Sequence, residues 1–286
     1  MAESVMAESV LDELLSDAFE QKLMKLAEDN AAKYQSAHPF PHIVFDNFLP
    51  EAAAEAALRD FPQPKQLAWA KFDNQMEKKL AFQSVEKLPQ GPREVLYFMN
   101  TRVVVKFLET LTGIKNVIPD PWYEGGGLHQ IVPGGKLGVH ADFNLHPRLN
   151  LDRRINMLIY LNKDWKEEYG GHFELWNKEM TQSEVKILPL FNRCAIFSTT
   201  STSYHGHPNP LTCPPDRTRK SVATYYYTNG RPEEEKGEAH STLFKARPGE
   251  VYKEPKKPRG TGSALRKLAF ELCPPILYNA LKKNKE

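Results

Sequence analysis

Leu128-His-Gln-Ile-Val132, a Pro133-Gly-Gly135 break, then Lys136-Leu-Gly-Val-His140-Ala-Asp142 is the stretch from which the fold can be read. Two short aliphatic, β-branched runs on either side of a proline-glycine break form the pattern of strands joined by a turn. The pattern continues through Ile155–Leu161, His172–Trp176, Val185–Leu188, Cys194–Ser198 and Ser221–Tyr227, with Gly, Pro or Asn between the runs. These runs lie too close together for crossover helices, which excludes a parallel α/β sheet and predicts an all-β barrel or sandwich over about 119–228.

Upstream the texture is helical. Leu11, Leu14, Leu15, Ala18, Phe19, Leu23 and Leu26 recur at helical spacing and predict one long amphipathic helix from Ser9 to about Tyr34, ended by His38-Pro-Phe-Pro41. His42–Asp46 reads as a short strand, Pro50 opens a helix to about Asp60, and Pro92 opens another to Leu111, with Gly113 as its stop. The polar segment between these helices has no clear period. Beyond Asn229 the chain turns polar, and a helix is expected over Ser263–Leu272, resuming toward Leu281 after Pro274-Pro275.

With 41% hydrophobic and 26% charged residues among 286, the chain has the balance of a globular protein, which excludes disorder and collagen-like repetition. A net charge of +2 gives no reason to expect nucleic acid as partner. Residues 245–286 hold eleven Lys/Arg against four Glu, which suits either a solvated tail or docking to an acidic partner. Three cysteines, Cys194, Cys213 and Cys273, form no disulfide framework; with an acidic N-terminus and no membrane-length apolar run, they predict a cytoplasmic protein.

The chemistry sits in His140-Ala-Asp142. Residues two apart on a strand project to one side, so an imidazole and a carboxylate can reach one metal ion together. A further histidine follows in Ser203-Tyr-His205-Gly-His207. Two histidines and one carboxylate with the opposite positions open form the facial triad of non-haem Fe(II) oxygenases. His-x-Asp by itself is weak and is more often a packing histidine beside a turn aspartate. Arg219-Lys-Ser221, 14 residues past His205, strengthens it: a guanidinium fork and a hydroxyl on one strand face suit a carboxylate.

In this order the chain resembles the 2-oxoglutarate/Fe(II)-dependent oxygenase superfamily, its prolyl-4-hydroxylase-like branch in particular. Pro133–His140, Ile159-Tyr-Leu-Asn162 with Tyr169-Gly-Gly171, Pro189–Phe197 and Pro41–Leu49 resemble that family's strands and hairpins, so the likeness covers about 38–230. It implies a mainly β fold with supporting helices: a double-stranded β-helix, a jelly-roll-like, cupin-type barrel of eight strands in two sheets, preceded by N-terminal α-helices. It implies Fe(II) on His140, Asp142 and His205, 2-oxoglutarate chelating the metal with its far carboxylate on Arg219 and Ser221, and O₂ as co-reactant, with ascorbate as an optional accessory. The domain organisation expected is 1–37 as a helical extension, 38–230 as the oxygenase domain and 231–286 as a basic, partly helical extension.

The resemblance implies a hydroxylase acting on an unactivated C–H bond of a prolyl or other peptidyl residue, or of a small metabolite such as an amino acid, with decarboxylation of 2-oxoglutarate to succinate and CO₂. Asp142 favours hydroxylation, since related halogenases carry a small residue there. The alternative is a non-catalytic barrel acting as a binding module. Two departures stand out. No tyrosine lies near Ile131, where the family often has one, leaving His129, Gln130 or Asn156 to replace it. His205 and His207 compete as distal ligand; His205 follows the Phe197–Thr202 strand and turn as the family's ligand does, and His207, before a proline, is expected to line the pocket or to bond to a metal ligand from behind. His146 is expected in a solvated loop, and Arg153-Arg154 either meets an anionic substrate or flanks a strand.

Overall fold

Residues 9–252 are described by this computed structural model, and the helices expected beyond residue 262 lie outside them. The elements run α1 (Leu11–Leu14), α2 (Asp17–Gln35), β1 (His42–Phe45), α3 (Glu51–Arg59), β2 (Ala70–Asp73), β3 (Glu77–Phe82), α4 (Gln90–Met99), α5 (Arg102–Thr112), β4 (Ile118–Pro119), β5 (Gly127–Ile131) and β6 (Lys136–Ala141). Then follow β7 (Asp152–Tyr160), β8 (Phe173–Trp176), β9 (Ser183–Ile187), β10 (Arg193–Ser198), β11 (His205–His207), β12 (Arg219–Thr228) and β13 (Leu243–Phe244).

Both long helices expected from the sequence are broken in two. Ser16 is extended, and its hydroxyl accepts from Phe19 N at 3.2 Å, starting α2 afresh where the apolar spacing alone would run on. At the second break Thr101 is extended and its hydroxyl bonds Phe98 O, while Asn100 donates to Asp120 O. Short polar side chains that bond backbone compete with helix locally, and apolar periodicity does not register that competition. Gly113, in the left-handed region, ends α5 as expected.

The strands join in the order β1-β10-β7-β12-β5-β3-β6-β11-β8-β9, with β2 on β3, β4 on β12 and β13 on β6, all antiparallel. The jelly-roll-like arrangement is as expected, and β3, from the unassigned segment, bridges β5 and β6 and makes the pairing continuous. The sheet curls on itself into a half-barrel of the jelly-roll kind. Phe173 on β8 and Phe197 on β10, far apart in strand order, meet with ring centroids 5.3 Å apart.

Strand alternation explains the layers. Outward residues Ile155, Met157, Ile159, Cys194, Ile196, Val222 and Tyr226 share one core with Leu23, Val95, Phe98, Val104, Phe107 and Leu108 of the helices. Inward residues Tyr160, Ala195 and Phe197 pack with Phe173, Leu175 and Ile187 inside the curl. Helices therefore cover the outer face, and the inner face is left to form a cavity. Among the described residues no helix is long and apolar enough to cross a membrane.

Candidate active site

The two ligand-bearing strands are neighbours. In β6 and β11, His140 pairs with His205, and their rings lie 4.5 Å apart. Each Nδ1 is tied to a backbone carbonyl, His140 to Gly138 O at 2.8 Å and His205 to Ser203 O at 2.9 Å. Because a carbonyl only accepts, each Nδ1 carries the proton, leaving both Nε2 lone pairs free to ligate. They face Asp142: His140 Nε2 is 3.5 Å from Oδ1 and His205 Nε2 3.4 Å from Oδ2. One ligand atom from each of the three residues lies within 4.8 Å of the others. This buried group of two imidazoles and a carboxylate fits a divalent ion such as Fe(II).

Asp142 is held ionised. Burial alone would raise its pKa, but the Arg153 guanidinium and the two histidines together keep it well below the usual carboxylate range. Arg153 is 1% exposed, lies 3.0 Å from Asp142 Oδ2 as an ion pair, and is stacked 3.5 Å over the Tyr225 ring. Asn156 accepts from Arg153 Nε and donates to the same Asp142 oxygen at 2.7 Å. His205, pushed down to about 4 chiefly by burial, stays neutral.

Arg219 and Ser221 open β12, 3% and 1% exposed, and line the same cavity of about 500 Å³ as the triad. Arg219 Nε donates to Gly171 O at 2.8 Å, and its guanidinium lies 4.9 Å from the Tyr160 ring. Gly171 has φ +72°, and a Cβ there would lie 3.0 Å from Arg219 Cδ, so the Gly-Gly hairpin is what lets the arginine settle. The Tyr160 hydroxyl is buried beside Arg219; burial raises its pKa, and the charge and side-chain hydrogen bonding of Arg219 oppose that rise.

The structure thus brings His140, Asp142, His205, Arg219 and Ser221 to one cavity, with His207 and His129 in its wall. Gln130 turns away to Thr218, and Asn156 serves Asp142. His146 is no solvated loop residue: it is 1% exposed, its Nδ1 accepts from Arg148 N and Leu149 N, and its Nε2 lies 3.2 Å from Asp120. That contact fastens the loop after Asp142 to the loop before β5. Arg154 pairs with Glu235.

Three contributors escaped the sequence reading. Arg153 was legible only as a charge near a strand. The hairpin β2–β3 supplies Glu77 and Lys79, paired at 3.0 Å, to the cavity wall. Phe244 on β13 packs on the His140 ring at 5.4 Å from beyond the expected domain end.

Residues 126–227 match the family described as 2OG-Fe(II) oxygenase superfamily. In fold the chain is similar to a prolyl hydroxylase from Trichoplax adhaerens, solved in complex with a hypoxia inducible factor oxygen degradation domain peptide fragment: 17% identity, TM-score 0.53, covering 76% of this chain and 95% of that one. It is also similar to a Pseudomonas putida prolyl-4-hydroxylase: 15% identity, TM-score 0.52, covering 73% of this chain and 100% of that one. The chain carries a domain of the 2OG-Fe(II) oxygenase superfamily on a prolyl-4-hydroxylase-like half-barrel. It is a 2-oxoglutarate-dependent dioxygenase, using Fe(II), 2-oxoglutarate and O₂.

Proposed function

We propose that His140, Asp142 and His205 bind Fe(II), that Arg219 and Ser221 receive the far carboxylate of 2-oxoglutarate, and that the substrate is a prolyl or other peptidyl residue or a small metabolite such as an amino acid. The observation that carries this reading is the convergence of two Nε2 lone pairs and an ionised carboxylate in a cavity that also holds a buried Arg–Ser pair. When bound, Fe(II) with 2-oxoglutarate and O₂ supplies the oxidising power for C–H hydroxylation, with succinate and CO₂ as by-products.

The protein's own residues do the positioning. Gly138 O and Ser203 O fix the two histidine tautomers, and Arg153 with Asn156 holds the Asp142 carboxylate toward them. Arg219 offers a fork whose orientation Gly171 O fixes, and Ser221 adds a hydroxyl two residues on. Phe173, Phe197 and Phe244 wall the triad with rings and exclude water from its surroundings.

Residues 38–230 are, in this reading, the oxygenase domain, flanked by a helical extension at 1–37 and a basic one at 231–286 whose local charge suits an acidic partner. The buried free thiols Cys194 and Cys213 support a reducing, cytoplasmic setting.

The test is an anaerobic titration of the protein with Fe(II) and then 2-oxoglutarate, following the visible charge-transfer band, and then an aerobic screen of proline-containing peptides and free amino acids for succinate release. His140→Ala and His205→Ala should each abolish both signals. A protein that gives no band and no succinate would be a binding module. If His207→Ala abolishes metal binding while His205→Ala retains it, the distal ligand is misassigned.

A further inference from the structure

His207 is 3% exposed, and neither of its ring nitrogens has a hydrogen-bond partner among the described residues. An imidazole closed off from water with both nitrogens unpaired bears the full desolvation cost of a donor and an acceptor. Such a group points to something that enters the cavity, whose wall it forms.

Its place on the strand narrows what that is. Between His205, opposite His140, and His207, opposite Leu137, the register slips, so two steps along β11 match three along β6. His207 is thereby carried toward the end of β6 next to the turn, and Arg219 pairs with Ile131 at the end of β5 leading into that same turn. The groups that bear on His207 most are Arg219, Lys79, His140 and His129, all cationic or neutral. A hydrogen-bond donor among such groups suits an anion. Arg219 has committed Nε to Gly171 O, and its planar fork suits a carboxylate. Ile131, also in the cavity wall, offers no donor.

We infer that His207 donates a hydrogen bond to the distal carboxylate of 2-oxoglutarate, alongside Arg219 and Ser221, and so selects cosubstrates that carry that charge. The inference rests on the Fe(II)/2-oxoglutarate reading above. It makes His207 a binding residue in its own right, with no part in holding the metal.

Anaerobic titration of the Fe(II)-loaded full-length protein tests it. Two ligands are used: 2-oxoglutarate, and 2-oxovalerate, which keeps the chelating end and lacks the distal carboxylate. His207→Ala should weaken 2-oxoglutarate by roughly 10- to 100-fold, the range for a hydrogen bond to a charged group. His207→Gln, which retains a donor, should recover most of that loss. Fe(II) affinity, measured by competition with a chelating dye, should stay unchanged, because no ligand is lost. 2-Oxovalerate should bind wild type and both variants equally. Unchanged 2-oxoglutarate affinity in His207→Ala overturns the inference, as does an equal loss for 2-oxovalerate, and loss of Fe(II) binding would make His207 a metal ligand instead. If Arg219→Ala weakens 2-oxoglutarate while His207→Ala does not, only this inference fails. A wild-type protein that gives no band with 2-oxoglutarate sinks the broader reading together with it.

Discussion

At the residue scale, the candidate site depends on two buried arginines with different tasks. In the proposed reading Arg219 holds the far carboxylate of the cosubstrate, so Arg219→Ala should weaken 2-oxoglutarate by on the order of a hundredfold or more, the consequence of losing a buried charge-assisted pair; the anaerobic band measures it, and an unchanged affinity would move the anchor elsewhere. Arg153 faces Asp142. Arg153→Met should therefore destabilise the metal-free protein by about 3 kcal/mol in urea unfolding, because Asp142 stays buried and loses its one arginine, keeping Asn156 and the two histidines; a loss below about 1 kcal/mol would show that the pair contributes little. Arg219 and Ser221 were legible because a strand's period of two states which residues share a face. Arg153 was not, since its role depends on Asp142 and Tyr225, which lie 11 positions before it and 72 after it in sequence. Sequence distance hides such a pair until the sheet curls.

The same contrast holds at the scale of elements. Seven strands from Leu128 to Tyr227 were readable from their apolar runs; in β7, β10 and β12 both faces are buried, one against the helices and one inside the curl. The hairpin β2–β3 was not, because β2 is exposed along its whole length and no apolar alternation marks it. The short β11 lacks an apolar run altogether. Helix packing was visible as amphipathicity, yet the close approach of α3 and α4 is seen only in space: a Cβ on Gly91 would sit 2.3 Å from Ala56 O. Gly91→Ala should force these helices apart and cost about 1–3 kcal/mol or more, read as a fall in melting temperature. β13 offers a second test. Leu243 and Phe244 pair with Ala141 and His140, and Lys245 N donates to Val139 O. A chain ending at Ala239 should show faster amide exchange across residues 139–142 and weaker Fe(II) binding, while exchange in α5 stays as in the full-length protein.

For the whole molecule, metal and cosubstrate binding couple to stability, because the unfolded chain does not hold the triad together. Fe(II) and 2-oxoglutarate at about a hundred times their dissociation constants should add ~2.7 kcal/mol each, about 5 kcal/mol together, a rise in melting temperature of roughly 10 °C or more. A chelator should reverse the shift, and His140→Ala should abolish it. A shift that survives in His140→Ala would place the ion somewhere other than the triad.

One edge of β6 is completed by chain from opposite directions: Lys136 and Leu137 pair with the hairpin at Lys78 and Glu77, and His140 and Ala141 with Phe244 and Leu243. During synthesis the first partner leaves the ribosome long before β6 does, and the second leaves about a hundred residues after it. The half of the strand that carries His140 is thus the last to gain its neighbour. A nascent chain arrested before Leu243 would hold all three triad residues and still lack the edge partner beside one of them, so readiness for the metal waits on chain made about a hundred residues after His140.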